Sequence, residues 1–239
     1  MHDKRVLIPI AFVLIAMCVA ELIGLTELLP KKSLGVINQV PGQLIRQGAP
    51  ESMQLSISCN VDWGEEVIPE LLQLARKEKI KLTFFVTGRW AEAHPDLLLR
   101  MHLSGHEIQN HGYLHKLCSQ IDVETSRQEI QKTEDAVYNI IGVRTTLFAP
   151  PSGDYDQKTL DLCRDMGYSL CLWSADTIDW KPGSTAAVIR ERILSKPLEG
   201  AIVLMHPKPE TLLALPGLLT EIRSRGIQIV KLSEMKLTR

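Results

Sequence analysis

The chain has 239 residues, 45% of them hydrophobic and 23% charged, enough to bury one sizeable core and to build one domain with appendages. Its formal net charge is −1, from 27 Lys and Arg against 28 Asp and Glu. That near balance removes the electrostatic case for nucleic-acid binding, which needs a basic face. A neutral polymer or a small molecule is the better partner class.

The N-terminus is the sharpest break in composition. After Lys4 and Arg5 comes VLIPIAFVLIAMCVA, residues 6–20, an unbroken apolar run followed by Glu21 and LIGLTELLP. At about 1.5 Å per helical residue it covers roughly 22 Å of a ~30 Å hydrocarbon core. Two readings stay open for residues 1–29. One is a signal peptide cut behind the small residue that ends CVA; the other is a tilted, hydrophobic anchor helix that continues through Leu29. Either one exports the rest of the chain, as a secreted protein or as one held on the outer face of the cytoplasmic membrane. Residues 30–51 carry Pro, Gly, Gln and two adjacent Lys without an apolar period, which predicts a linker. The five cysteines, Cys18, Cys59, Cys118, Cys163 and Cys171, contain no C-x-x-C and read as small buried hydrophobes.

From residue 52 to about 235, strand-like and helix-like patterns alternate. MQLSISC precedes EEVIPELLQLARKEKI, KLTFFVTG precedes PDLLLRMHLSG, and HEIQNHG precedes TSRQEIQKTEDAVYNIIG. TTLFA precedes YDQKTLDLCRDMG, YSLCLWSA precedes STAAVIRERILSK, GAIVLMH precedes ETLLALPGLLTEIRSRG, and IQIVKL closes the series. This order predicts an α/β domain with a parallel sheet, a (β/α) barrel, distorted or incomplete, of about seven strands. In such a fold the strand ends carry the chemistry, and here they hold Asn60 and Asp62, then His111 with His115, then APPSG, SADTIDW, and finally Met205 and His206.

The segments TFFVTGRWAEAHPDLL, GHEIQNHGYLH, WSADTIDW and IVLMHP resemble the polysaccharide deacetylases of carbohydrate esterase family 4, which share the NodB homology domain. NVDWGEE with FAPPSGDY is similar to the branch found in spore-forming bacteria. The resemblance implies a NodB-like barrel over residues 52–235. It also implies hydrolysis of the C–N amide bond of an N-acetylated glycan, in the cell wall or the spore envelope, with a divalent metal cofactor.

By their own chemistry, Asp62, His111 and His115 form one carboxylate and two imidazoles, a set suited to zinc or another divalent ion with positions left open. His-x-x-x-His alone is modest support, and the surrounding GHEIQNHG strengthens it. His2 lies in the targeting segment, and His94, His102 and His106 read as ordinary surface or core histidines. The resemblance assigns the remaining roles. His206 matches the histidine that protonates the leaving amine, Asp179 the carboxylate that keeps it basic, and Trp180 an apolar wall near the acetyl group. Ser152 falls where a backbone N–H stabilises an oxyanion. For Asp179 a capping role before Pro182 competes, and for Trp63, Trp90, Trp173 and Trp180 core packing competes with sugar stacking.

Two departures from the family pattern stand out. The pattern carries Asp-Asp or Asp-x-Asp at the first strand end, base and metal ligand in turn. If the strand sets the register, Asn60 replaces the base and Asp62 is the ligand; if Gly64 sets it, Asp62 is the base and Trp63 replaces a ligand. Strand alternation favours the first, because it points Asn60 and Asp62 to one side and because tryptophan cannot bind a metal. Asn60 can orient a water but cannot take its proton. The arginine that pairs with the base in the family is Ala149 here, and losing both avoids a buried unpaired cation. The expectation is a deacetylase-like hydrolase, with a glycan-binding protein that does not turn over as the alternative.

Overall fold

A computed structural model describes residues 40–237. The expected hydrophobic helix of residues 1–29 and the linker up to residue 39 lie outside the described residues. No helix among the described residues is long and apolar enough to cross a membrane.

Nine strands are present among the described residues: β1 (Leu44–Ile45), β2 (Gln54–Val61), β3 (Thr83–Val86), β4 (Glu107–Asn110), β5 (Leu147–Phe148), β6 (Ser169–Cys171), β7 (Ala175–Asp176), β8 (Ile202–Met205) and β9 (Gln228–Ile229). Between them run α1 (Ile68–Lys77), α2 (Gly88–Ala93), α3 (Pro95–Leu103), α4 (Val123–Ile141), α5 (Gln157–Asp165), α6 (Ala186–Leu194) and α7 (Pro209–Ser224). The order across the curled sheet is β1-β6-β5-β4-β3-β2-β8-β7, with β9 added to β2. Every pair is parallel. The expected incomplete barrel is therefore present, with strand structure in each of the seven expected segments.

Two strands were not expected, and both sit at the seam. Leu44–Ile45, inside the segment read as linker, pairs with Leu170 and Cys171, and Ile45 is buried, so the sheet begins before residue 52. The run YSLCLWSA does not form one strand. Its first half pairs with β5 and β1, its second half with β8. Leu172 N–H donates to the Ile45 carbonyl and Ser174 N–H to that of Ile202, so one stretch changes partner across the seam. A local pattern cannot record such a switch, because the hydrogen bonds that define it are made to distant segments.

Alternation in β2 builds two cores. Leu55, Ile57, Cys59 and Val61 face the helix layer, packed with Leu71, Ile193 and Leu218. Ser56, Ser58 and Asn60 face the concave side. That interior is filled by Phe85, Leu147, Ala149, Cys171, Ile202 and Leu232, each large apolar side chain contributing roughly 1.5–3 kcal/mol on burial. The helices start at conventional signals: Asp122 accepts from Thr125 N–H at 2.7 Å to cap α4, and Asp156 with Thr159 forms a capping box on α5. At the C-terminal ends of the strands the interior opens into a cleft.

Candidate active site

The cleft has a volume of about 450 Å³ and is lined by Asn60, Asp62, Trp63, His111, His115, Ser152, Trp173, Asp176, Trp180, Leu204 and His206. Seven of the eight predicted site residues reach its wall, and the eighth, Asp179, lies behind His206. Val61 turns into the helix-side core while Asn60 and Asp62 both turn to the cleft, as strand alternation requires. Trp63 reaches the cleft from the loop that follows. It stacks on the His206 ring with centroids 5.7 Å apart and planes 14° from parallel, and Lys208 Nζ lies 5.1 Å from its centroid. Gly64 makes this loop possible: its φ is +85°, and a Cβ there would come within 2.4 Å of the Pro207 carbonyl oxygen.

The two histidines of the second motif are not stacked on a helix; they flank a turn. Asn110 Oδ1 accepts from Gly112 N–H at 2.9 Å, and its Nδ2 donates to the Ile130 carbonyl at 2.8 Å. Buried Glu129, on α4, accepts from Tyr113 N–H at 2.9 Å and Leu114 N–H at 2.6 Å. This turn brings the imidazoles edge to face, with centroids 5.0 Å apart. His111 Nδ1 lies 2.7 Å from the Ala149 carbonyl oxygen. A carbonyl only accepts, so Nδ1 carries the proton and Nε2 keeps its lone pair. Burial, with His115 nearby, pushes the His111 pKa down to about 3, so the ring is a neutral donor. Burial also lowers His115, against the opposing pull of Asp62.

Asp62 is not free. Its Oδ1 accepts from Thr87 Oγ1 at 2.7 Å and from Arg89 Nε at 2.8 Å, and its Oδ2 receives the other arm of the same guanidinium. Burial alone would raise its pKa, but the Arg89 and Thr87 bonds hold it below the usual carboxylate range. The chemistry of the donor set, two neutral imidazoles and one ionised carboxylate at one end of a cleft, fits a divalent ion. In the present pairing, no three His, Cys, Asp or Glu side chains among the described residues gather closely enough to enclose one.

Across the cleft stands a dyad. Asp179, its side chain fully buried, accepts from His206 Nδ1, from His206 N–H and from Thr211 Oγ1, each at 2.7 Å. Burial opposes ionisation of Asp179, yet the His206 and Thr211 bonds outweigh it and lower its pKa. Three accepted bonds from across the cleft wall go beyond the local capping role that competed for this residue. Ser152 lies exposed at the rim in left-handed backbone, φ 57°, and Trp180 is 55% exposed at the opening. Trp90 is buried in the helix-side core, so only three of the four tryptophans serve the cleft. His106 has the structural role expected of it: its Nδ1 accepts from Leu82 N–H at 3.0 Å, and burial lowers its pKa to about 4.

Several residues of the site escaped the sequence. Thr87 and Arg89 reach Asp62 because β2 and β3 pair with Val61 opposite Val86, which sets the first turn of α2 beside the end of β2. Nothing local to GRWAEA signals that contact. Asp176 lies in the same DTIDW run as Asp179 and was the more legible omission. It sits half-buried in the cleft wall, where burial raises its pKa, and its Oδ1 accepts from Ile178 N–H at 2.8 Å. That bond lies in the turn that leads to Asp179.

Residues 51–171 match the family model for polysaccharide deacetylase. The chain is 32% identical over 191 residues to the uncharacterized protein YlxY of Bacillus subtilis, covering 80% of this chain and 60% of that one. It is 29% identical over 175 residues to a peptidoglycan-N-acetylglucosamine deacetylase of Bacillus cereus, covering 71% and 63%. The chain thus spans less than two thirds of these relatives. Among solved structures it resembles BA3943, a CE4 family pseudoenzyme from Bacillus anthracis, with a TM-score of 0.79 and 29% identity over 83% of this chain and 72% of that one; a mutant of that protein has restored enzymatic activity. With the fold and the strand-end motifs in agreement, this chain belongs to the polysaccharide deacetylase family.

Proposed function

We propose that this protein is a deacetylase-type hydrolase that removes acetyl groups from an N-acetylglucosamine-type glycan such as peptidoglycan, outside the cytoplasmic membrane. The observation that carries the reading is the His206–Asp179 pair, held at 2.7 Å with the carboxylate fully buried. Asp179 accepts the Nδ1–H of His206, so Nε2 faces the cleft as the atom that takes up a proton and then, from the imidazolium, delivers it to the departing amine. Trp63 stacks on the ring and limits its rotation, while Trp180 and Trp173 offer apolar faces to a pyranose.

His111, His115 and Asp62 are the donors for a divalent ion, zinc being the best match to a site rich in imidazole. When bound there, such an ion supplies Lewis acidity and lowers the pKa of a water. The chain's own limit is Asn60. Its amide orients a nucleophilic water but takes no proton, and loss of a general base costs ~10²- to 10⁴-fold in rate. The Ser152 backbone N–H is the oxyanion donor, a role that survives the change of side chain.

The second reading is a glycan-binding protein of the cell wall or spore envelope that does not turn over. It is favoured by the joint change at Asn60 and Ala149, which removes both the base that the family pattern carries at the first strand end and that base's cationic partner. Acetate release from N-acetylglucosamine oligomers, measured at defined zinc, separates the two. Release abolished by His206→Ala supports the hydrolase; binding of the oligomers without release supports the second reading.

A further inference from the structure

Arg89 and Asp62 form an ion pair at the end of the cleft. Arg89 sits in the first turn of α2, where its backbone N–H donates to the Tyr113 carbonyl at 3.3 Å and that of Gly88 donates to the Gly112 carbonyl at 3.1 Å. Its base is thus fixed against the turn that carries His111 and His115. Its guanidinium engages both oxygens of Asp62, whose side chain is only 12% exposed, while its own is 48% exposed. A planar fork on a carboxylate is the strongest pairing that arginine makes, and it fills one side of both oxygens.

We propose that Arg89 competes with the divalent ion for Asp62 and thereby lowers the affinity of the site for it. The inference rests on the reading of His111, His115 and Asp62 as the donors. Without an ion, Arg89 supplies the positive charge that a largely buried carboxylate needs, so the empty site stays folded and compensated. With an ion, the guanidinium yields at least one oxygen and turns toward solvent, which its exposure permits. Thr87 Oγ1, on the neighbouring strand end, holds Oδ1 in place throughout.

The opposite role makes an opposite prediction. If Arg89 merely oriented Asp62 for the metal, its removal would weaken binding by roughly 10- to 100-fold, as loss of an orienting outer partner does. The test is competition of the full-length chain with a chromogenic chelator for zinc and for cobalt, in wild type, Arg89→Ala and Arg89→Lys, with thermal melts of each protein with and without zinc. Competition predicts zinc binding about tenfold tighter in Arg89→Ala, an intermediate value in Arg89→Lys, a lower melting temperature for metal-free Arg89→Ala, and recovery with zinc. Equal or weaker zinc binding in Arg89→Ala overturns the competition but leaves the donors standing. No zinc or cobalt bound by any of the three proteins overturns it together with the donor set itself.

Discussion

Replacing Asp179 by alanine is expected to destabilise the protein more than most single changes near the cleft. The side chain is 0% exposed and accepts three hydrogen bonds at 2.7 Å, from His206 Nδ1, His206 N–H and Thr211 Oγ1. Alanine leaves three donors without their acceptor, at ~1–3 kcal/mol each when buried. The His206 ring, 17% exposed, recovers part of this through water. The net loss is then roughly 3–5 kcal/mol, the range for breaking a buried pair, or about 6–20 °C in melting temperature for a domain of this size. Asp179→Asn keeps the volume and one acceptor oxygen, and loses roughly 2–3 kcal/mol. Urea unfolding at unchanged m gives both values.

The pH dependence supplies a second check. The folded state lowers the Asp179 pKa, so its stabilisation is present above the unfolded carboxylate value and is lost as pH falls through the lower folded value. The gap between wild type and Asp179→Asn is therefore full above about pH 5 and shrinks below about pH 4. A loss under ~1 kcal/mol for Asp179→Ala, with a gap independent of pH, would refute the claim that these three bonds hold His206 in place.

The remaining expectations follow from the donors, the departures and the N-terminus. His111→Ala and His115→Ala should each abolish stoichiometric divalent metal in purified protein; metal retained in both removes the site from the reading. Asn60 has Phe85 as its cross-strand neighbour, and Phe85 shares one cluster with Ala149. Ala149→Arg alone should thus overpack a buried position at a cost of roughly 1–3 kcal/mol, and Asn60→Asp alone should gain little acetate release. The double variant should exceed the sum of the two by about 0.5–3 kcal/mol of coupling; no gain over Asn60→Asp in a folded, metal-loaded double variant means that the two positions do not face each other. Protease added to intact protoplasts should digest the domain, and full protection would count against export.

The linear sequence determined the alternation of β2, the succession of strand and helix, and the helix caps. All of these depend on neighbours within a few residues: side chains alternate at a period of two in a strand, and Asp122 and Asp156 cap the helices that immediately follow them. It also marked the strand ends as the place of the chemistry, because polar residues such as Asn60, His111 and His206 close runs that are otherwise buried. What the tertiary structure alone decided involves partners distant in the chain. Leu44–Ile45 is a strand only because Leu170 and Cys171 lie beside it. The tautomer of His111 depends on a carbonyl 38 residues away, and the state of Asp62 on a guanidinium 27 residues away. Each is set by strand register, which specifies who faces whom across the sheet and which no local period encodes.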